Sequence, residues 1–521
     1  MKRERMMRSI EEFPERWDVI IVGGGATGLG AAVDSASRGY KTLLLEQCDF
    51  AKGTSSRSTK LIHGGLRYLQ QGNIALVTEA LKERGLLFKN APHLVHHLPF
   101  LVPNYKWWEA PFYGIGLKIY DILAGKLGIE KSELLSREET LKAIPTLEPE
   151  ELRGGVTYYD GQFDDSRLAI CLAKTAVDHG ATLINYMKVT RILKTKGVCS
   201  GVHATDLETG KHYRLTSRVV INATGVFSDA LIRKDNPKAK PIIAPSQGVH
   251  IVLDKSFQPG STAILVPHTS DNRVLFMVPW LGRILLGTTD TEMPKPTLEP
   301  RPLKEEIAFL LTHAGKYLTK QPTKKDILSV FAGLRPLIKA KKGASTASLS
   351  RDHTLIVSSS GLITIAGGKW TTYRKMAEDV IDKAMEVGSL PKRSCITETL
   401  KLHGWKENID PRKPMSTYGT DAKDVRALLQ EKKQWKQAIH PHLPYTYAEV
   451  IWAVREEMAR TVEDVLSRRT RALLLDARAS LACAPRVAKI LALELKKDKK
   501  WEKEQIAQYT ALVKHYLPSG K

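Results

Sequence analysis

Cysteine is scarce: five residues in 521 (Cys48, Cys171, Cys199, Cys395 and Cys483), with no C-x-x-C pair and no histidine at zinc-ligand spacing. That pattern excludes a zinc finger, an iron–sulfur site and a disulfide framework, and favours a reducing compartment. No run reaches the roughly 18 charge-free apolar residues needed to span a bilayer. The opening MKRERMMRSIEEFPERW has basic residues, but Glu4, Glu11, Glu12 and Glu15 interrupt it and it lacks the apolar core of a secretory signal. Acid is also in short supply. Lys and Arg number 79 against 56 Asp and Glu, a formal charge of +23. Such an excess calls for an anionic partner, whether nucleic acid, anionic lipid or a phosphorylated small molecule. Neither an RNA-recognition nor a zinc-finger signature accompanies it, so no nucleic acid is expected.

With 42% hydrophobic residues the chain is too apolar for disorder and long enough for two or three cores. Asp18-Val19-Ile20-Ile21-Val22 reads as a buried strand, Gly23-Gly24-Gly25-Ala26-Thr27-Gly28 as a glycine turn, and Leu29 to Ser37 as a helix stopped by Gly39. A second strand, Lys41 to Leu45, ends at Glu46. This is a βαβ unit. Gly23, Gly25 and Gly28 fill the G-x-G-x-x-G places that permit the bend, the approach of a pyrophosphate and close helix packing. Glu46 stands where a carboxylate meets ribose hydroxyls. Asn222-Ala223-Thr224-Gly225 and Ala366-Gly367-Gly368-Lys369-Trp370-Thr371-Thr372 provide further glycine-rich turns. The latter repeats the logic of strand, glycines and helix N-terminus, which favours FAD over NAD. Ser55 and Ser56 are candidate pyrophosphate donors. From about Glu398 strand signals fade; Asp410 to Gly419 reads as a connection, and Tyr447 to Lys496 as basic helices.

The run Gly53-Thr54-Ser55-Ser56-Arg57-Ser58-Thr59-Lys60-Leu61-Ile62-His63-Gly64-Gly65-Leu66-Arg67-Tyr68-Leu69 resembles the flavin loop of the FAD-dependent glycerol-3-phosphate dehydrogenases. So do Gly287-Thr288-Thr289-Asp290-Thr291, Ala332-Gly333-Leu334-Arg335-Pro336-Leu337, Ser350-Arg351-Asp352-His353, Gly367 to Arg374 and the tail around Glu456 to Arg471. The resemblance implies an α/β fold: a Rossmann-like FAD domain interleaved with a mixed-sheet substrate domain, plus a C-terminal helical cap. FAD segments are expected at about 17–90, 150–240 and 345–390, substrate segments at about 91–149 and 241–344, and the cap at 398–521. It implies oxidation of sn-glycerol 3-phosphate to dihydroxyacetone phosphate, with electrons passing through FAD to membrane quinone. A glycerol-3-phosphate oxidase using oxygen is the nearest alternative.

Such chemistry needs cations for a phosphate, a proton acceptor and a donor to the developing alkoxide. The resemblance places Arg67, Tyr68, Arg335, Arg351, Lys369, Thr371 and His250 around the substrate, with His250 or Lys369 as base. It places Gly23, Gly25, Ala26, Thr27, Gly28, Glu46, Thr54, Ser55, Ser56, Thr59, Lys60, His63, Gly64, Gly65, Leu66, Val189, Thr224, Gly225, Gly368, Lys369, Trp370, Thr371 and Thr372 around FAD, with His63 against the isoalloxazine and Val189 beside adenine. Tyr105 to Leu123 joins an aromatic cluster to apolar residues at helical spacing, which suits either an interfacial segment on an anionic membrane or a packed helix. The absence of a calcium loop or presequence points to a bacterial-type enzyme on the cytoplasmic membrane face, and homodimers are common in this family.

Overall fold

The computed structural model describes residues 1–12, 16–65, 73–267, 269–271, 273–339 and 353–518. Among the described residues two sheets and a helical cap are present, and the first sheet follows from the βαβ signal. Trp17–Val22 lies at its centre, paired in parallel with His212–Asn222 (Ile21 opposite Ile221) and with Thr42–Leu45 (Ile20 opposite Leu43). Thr182–Ile184 and Ile363–Gly367 extend it in parallel, and His353–Val357 closes the edge antiparallel. Strands covered on both faces read as unbroken apolar runs. Here Val19, Ile20 and Ile21 are buried, with the helices Ala26–Ser37, Asp165–Asp178 and Tyr373–Gly388 packed around them.

Among the described residues the second sheet has ten strands and is mostly antiparallel. Ile243–Asp254 pairs with Ser329–Ile338 on one side and with Arg283–Gly287 on the other. Leu275–Trp280, Ala263–Val266, Val95–Asn104 and Gly154–Phe163 then follow in order. Ala263–Val266 beside Val95–Asn104 is its parallel step, which makes the sheet mixed, as expected. Two of its strands lie inside stretches that the sequence reading gives to the FAD segments. Gly154–Phe163 matches Val95–Asn104 over its whole length, and Leu61–Ile62 pairs with Gly154–Phe163, so register carries both into the second sheet. Alternation along Ile243–Asp254 divides the two faces. Val249, Ile251 and Leu253 pack toward the helix Lys304–Gly315, whereas Val252 turns to the core shared with the cap.

The cap comprises the helices Ala422–Glu431, Tyr447–Glu456, Ala472–Leu475, Ala477–Glu494 and Lys499–Val513. Residues 410–415 of the connecting stretch hold neither helix nor strand, and the short turn Ser416–Asp421 then buries Tyr418, whose ring lies 4.4 Å from the Arg167 guanidinium. Hydrophobic contact joins cap to sheet, but buried charge fixes the fit. Arg469 makes a two-pronged contact with Asp49, at 2.7 and 2.8 Å, and Arg468 adds a third bond at 2.6 Å. Burial alone would push the Asp49 carboxyl up, yet the two guanidinium groups outweigh it and hold it at about 2. Arg167 grips Glu457 through paired bonds of 2.8 and 2.7 Å. Truncating one partner of a buried pair strands the other, a cost of about 3–5 kcal/mol. Arg469→Ala should therefore lower the unfolding free energy measured by urea titration by that amount. A loss under about 1 kcal/mol, typical of an exposed pair, would show that Asp49 does not anchor the cap.

Candidate active site

One cavity of about 750 Å³ runs between the two sheets and collects most of the residues singled out from sequence. Its dinucleotide end begins where Trp17–Val22 gives way to Gly23–Gly28. Gly23 has φ of +113°, and a Cβ there would lie 2.5 Å from the Ala223 carbonyl oxygen. At Gly28 a Cβ would lie 1.9 Å from the Gly23 carbonyl oxygen. Side chains are thus excluded at both ends of the turn, and the first turn of Ala26–Ser37 opens onto the space beyond. The half-buried Glu46 carboxylate accepts from the Gly24 amide at 2.6 Å and the Cys48 amide at 2.8 Å while also lining the cavity. Burial moves its pKa upward. Gly25, Ala26, Thr27, Val189, Thr224 and Gly225 line the same space. A Cβ on Gly225 would meet no protein atom within 4 Å, so the room left by that glycine is open to a ligand. These features fit a dinucleotide: a turn stripped of side chains, an oriented helix end, and a carboxylate about twenty residues on.

The middle of the cavity is framed by two loops that hold each other. Trp370 donates its indole N–H to the Ser55 carbonyl at 3.0 Å, and the His63 amide donates to Thr371 Oγ1 at 3.3 Å. Thr54, Ser55, Thr59, His63, Gly65, Gly368, Lys369, Trp370 and Thr371 all line the wall. Ser55 Oγ accepts from the Ala26 amide at 2.9 Å, which ties this loop to the glycine turn. Thr372 Oγ1 caps back on the Lys369 carbonyl at 3.4 Å, and the Gly64 amide donates to Tyr120 Oη at 2.8 Å.

Besides the packing glycine Gly28, the cofactor candidates Gly64, Thr372, Lys60 and Ser56 do not line the cavity, and the last two turn away from it. The Lys60 ammonium turns into the protein and meets Asp165 Oδ2 at 2.7 Å and the carbonyls of Ser56 and Ser58 at 3.0 Å. Burial pulls its pKa down to about 8 despite that carboxylate. Ser56 offers Lys60 and Arg471 its carbonyl, and its buried hydroxyl lies 3.5 Å from the Gly53 carbonyl. Both act on the loop from behind. The reason is Asp165, a fully buried carboxylate that draws in Lys60 and, from the cap, Arg471 at 2.9 Å.

At the other end of the cavity Arg335 projects from Ser329–Ile338, held by the Thr289 carbonyl at 2.9 Å, Thr288 Oγ1 at 3.3 Å and Asp290 Oδ1 at 3.4 Å. Gly248 makes room: a Cβ there would approach Arg335 Nη2 to 2.5 Å. His250 stacks on Phe331 at 5.0 Å, and its Nε2 is 2.9 Å from Thr59 Oγ1. Burial, with Lys60 and Arg335 adding to it, drives its pKa well below the usual histidine value, so the ring is neutral with a lone pair available. Leu66, Arg67, Tyr68 and Arg351 lie outside the described residues.

Comparison with known proteins identifies the family and its cofactor. A model described as "FAD dependent oxidoreductase" matches residues 18–374, and one described as "C-terminal domain of alpha-glycerophosphate oxidase" matches 363–504. A probable mitochondrial glycerol-3-phosphate dehydrogenase of Caenorhabditis elegans is 42% identical, covering 92% of this chain and 71% of that protein. The Mesocricetus auratus mitochondrial enzyme is 40% identical, over 95% and 72%. The chain belongs to the FAD-dependent glycerol-3-phosphate dehydrogenase family. A Bacillus halodurans glycerol-3-phosphate dehydrogenase solved with FAD shares the fold at a TM-score of 0.81 and 29% identity, over 99% of this chain and 98% of that one.

Within this family member, sequence reasoning missed Asp165, Asp290 and Arg471 as supports of the site. Asp290 stood inside a quoted motif, and only the strand pairing that sets it beside Ser246 and Arg335 reveals its partners. Asp165 carried just the signal of a helix first turn. The glycine turn yields a direct test. Gly28→Val, with its Cβ driven onto the Gly23 carbonyl, should purify colourless and stay colourless after FAD is supplied. Retention of a wild-type flavin spectrum would disprove the assignment of this turn to the dinucleotide.

Proposed function

We propose that the protein oxidises sn-glycerol 3-phosphate at C2 to dihydroxyacetone phosphate and delivers the electrons to a quinone in the membrane. One observation carries the reading: Arg335 and His250, from the second sheet, face the same cavity as the glycine turns of the first. A phosphate-holding cation and a neutral imidazole thereby stand beside the dinucleotide site. Bound FAD supplies the hydride acceptor.

The chain's own contributions are binding, orientation and proton handling. Arg335 presents a planar fork suited to phosphate oxygens, and Thr288, Thr289 and Asp290 hold it so that little side-chain freedom is lost on binding. His250 takes the C2 hydroxyl proton on a ring nitrogen, and Thr59 and Phe331 fix the plane of the ring. Lys369 and Thr371 supply donors to the oxygen as it becomes a carbonyl.

Access to membrane quinone finds support on the helix Glu109–Ala124. Phe112, Ile115, Ile119 and Ile122 are exposed along it, Ile122 at 76%, with Trp107 at 77% just before it and Leu134 beside it. Lys106, Lys118 and Lys131 are exposed around the same face. An apolar stripe with aromatics and a cationic fringe suits the headgroup region of an anionic bilayer. Among the described residues no helix is long and apolar enough to cross a membrane.

Anaerobic addition of sn-glycerol 3-phosphate should bleach the flavin band near about 450 nm, and a soluble quinone should restore it. Rapid recovery in air alone would mark an oxidase; no bleaching would sink the substrate assignment. Arg335→Ala should keep FAD and lose roughly 30- to several-thousand-fold in kcat/KM, the effect of about 2–5 kcal/mol from a truncated buried charge contact. The pH profile follows from His250. Its neutral form is the active one and its pKa lies below 6.5, so kcat/KM should fall only on the acid side of that value and stay level above it. His250→Asn should be slower and lack that acid limb; an unchanged limb would assign it to another group.

A further inference from the structure

Arg335 is not the last cation that the cavity wall offers. Arg273, from the hairpin joining Ala263–Val266 to Leu275–Trp280, lines the same cavity and lies outside every motif read from the sequence. Strand pairing sets its place. Phe276 pairs with Gly287, so the chain entering Phe276 from Arg273 runs antiparallel beside the chain leaving Gly287 for Thr288, Thr289 and Asp290, about 4.8 Å away at the pair. Those three residues are the ones that hold Arg335, which reaches them across Gly248 from the far side. Arg273 and Arg335 therefore approach one short segment from two directions, and both line the cavity.

The hairpin holds Arg273 in position. Thr269 Oγ1 accepts from the Arg273 amide at 2.9 Å and lies 2.8 Å from its carbonyl, and the Ser270 amide donates to His313 Nε2 at 3.0 Å, which ties the hairpin to the helix Lys304–Gly315. Asp271 Oδ2 meets Arg273 Nε at 3.1 Å. Among the described residues no group hydrogen-bonds to Nη1 or Nη2, so the fork of this half-buried guanidinium is left for a ligand. Other cations on the wall are engaged. Lys52 and Arg57 share Glu299, and Lys234 donates to the Thr190 carbonyl at 2.8 Å.

Charge counting gives this fork its use. Asp290 lies 3.4 Å from Arg335 and offsets much of its charge, whereas a phosphate monoester carries about one and a half to two negative charges at neutral pH. Asp271 is exposed, and a pair screened by water contributes little. We propose that Arg273 is a second phosphate cation, which grips the substrate from the side opposite Arg335 and selects dianionic phosphate over a single carboxylate; this rests on the reading of sn-glycerol 3-phosphate as the substrate. The phosphate oxygens then meet two planar forks. A hydroxy acid or an amino acid brings one carboxylate and has use for only one of them.

The test uses the FAD-loaded enzyme carrying Arg273→Gln. Its KM for sn-glycerol 3-phosphate and the inhibition constant of inorganic phosphate as a competitor should both rise roughly 10- to 150-fold, the loss expected of one charge-assisted hydrogen bond, while kcat and the flavin spectrum stay at the wild-type level. Nitrate, a monoanion, should inhibit both enzymes alike. Independently of any variant, phenylglyoxal should modify Arg273 in the wild-type holoenzyme, and inorganic phosphate should slow that modification. Unchanged KM and phosphate inhibition in Arg273→Gln, or an equal weakening of nitrate and phosphate, overturns the assignment and leaves the substrate reading standing. Modification of Arg273 at a rate that phosphate does not alter does the same. A wild-type enzyme that sn-glycerol 3-phosphate fails to bleach removes the reading on which the second cation depends.

Discussion

Asp165 is the carboxylate on which the site is hung. It is fully buried at the start of the helix Asp165–Asp178, accepts from Ser58, Lys60 and Arg471, and so joins the flavin loop, the first domain and the cap at one point. Burying a carboxylate is unfavourable until its oxygens are satisfied, and each missing partner would leave a charge uncompensated. The arrangement is therefore stable only when all three parts are in register. Asp49 repeats the device nearby with Arg468 and Arg469, so two buried acids govern how the cap meets the cofactor domain. Ser58, which donates to Asp165, also lines the cavity, so the cavity wall is tied to this seam.

Backbone chemistry made the dinucleotide half legible in sequence. A strand, three glycines at fixed spacing, a helix and a terminal carboxylate describe a geometry by themselves, because side chains at Gly23 and Gly28 would collide with main-chain oxygens. The family motifs carried the remaining candidates, and Arg335, His250, Lys369 and Thr371 do converge on one cavity. What sequence concealed was the origin of each support. Lys60 sits in a motif that the family resemblance places around FAD, and its neighbours gave no sign that its ammonium points away from the cavity; that depends on Asp165, over a hundred residues later. The strand Gly154–Phe163 was equally hard to assign, since membership of a sheet is settled by its partner Val95–Asn104 and not by its own pattern.

The helix Glu109–Ala124 illustrates a different difficulty. Aromatic and aliphatic residues at helical spacing describe both a packed helix and an interfacial one, and periodicity cannot separate them. In three dimensions the helix is both: Tyr113, Leu117 and Tyr120 pack inward, and Phe112, Ile115, Ile119 and Ile122 remain uncovered. A second apolar stripe on a helix that already has a core is the feature that carries information.

On the proposed assignment of His250 as the base and Arg335 as the phosphate cation, the charges around the ring pose a problem that the substrate itself would resolve. Lys60 and Arg335 both disfavour a proton on this ring, and burial disfavours it further. A base so placed is neutral and ready, yet reluctant to become a cation. A phosphate monoester, however, brings between about one and a half and two negative charges at neutral pH. Set against Arg335, that charge cancels part of the positive field and raises the affinity of the imidazole for a proton. The cations that recognise the substrate would otherwise suppress the base, so proton abstraction becomes favourable only when a phosphate is in place. Glycerol lacking the phosphate would lose both its grip on Arg335 and the shift that arms His250, a double penalty of the kind that turns remote binding contacts into rate.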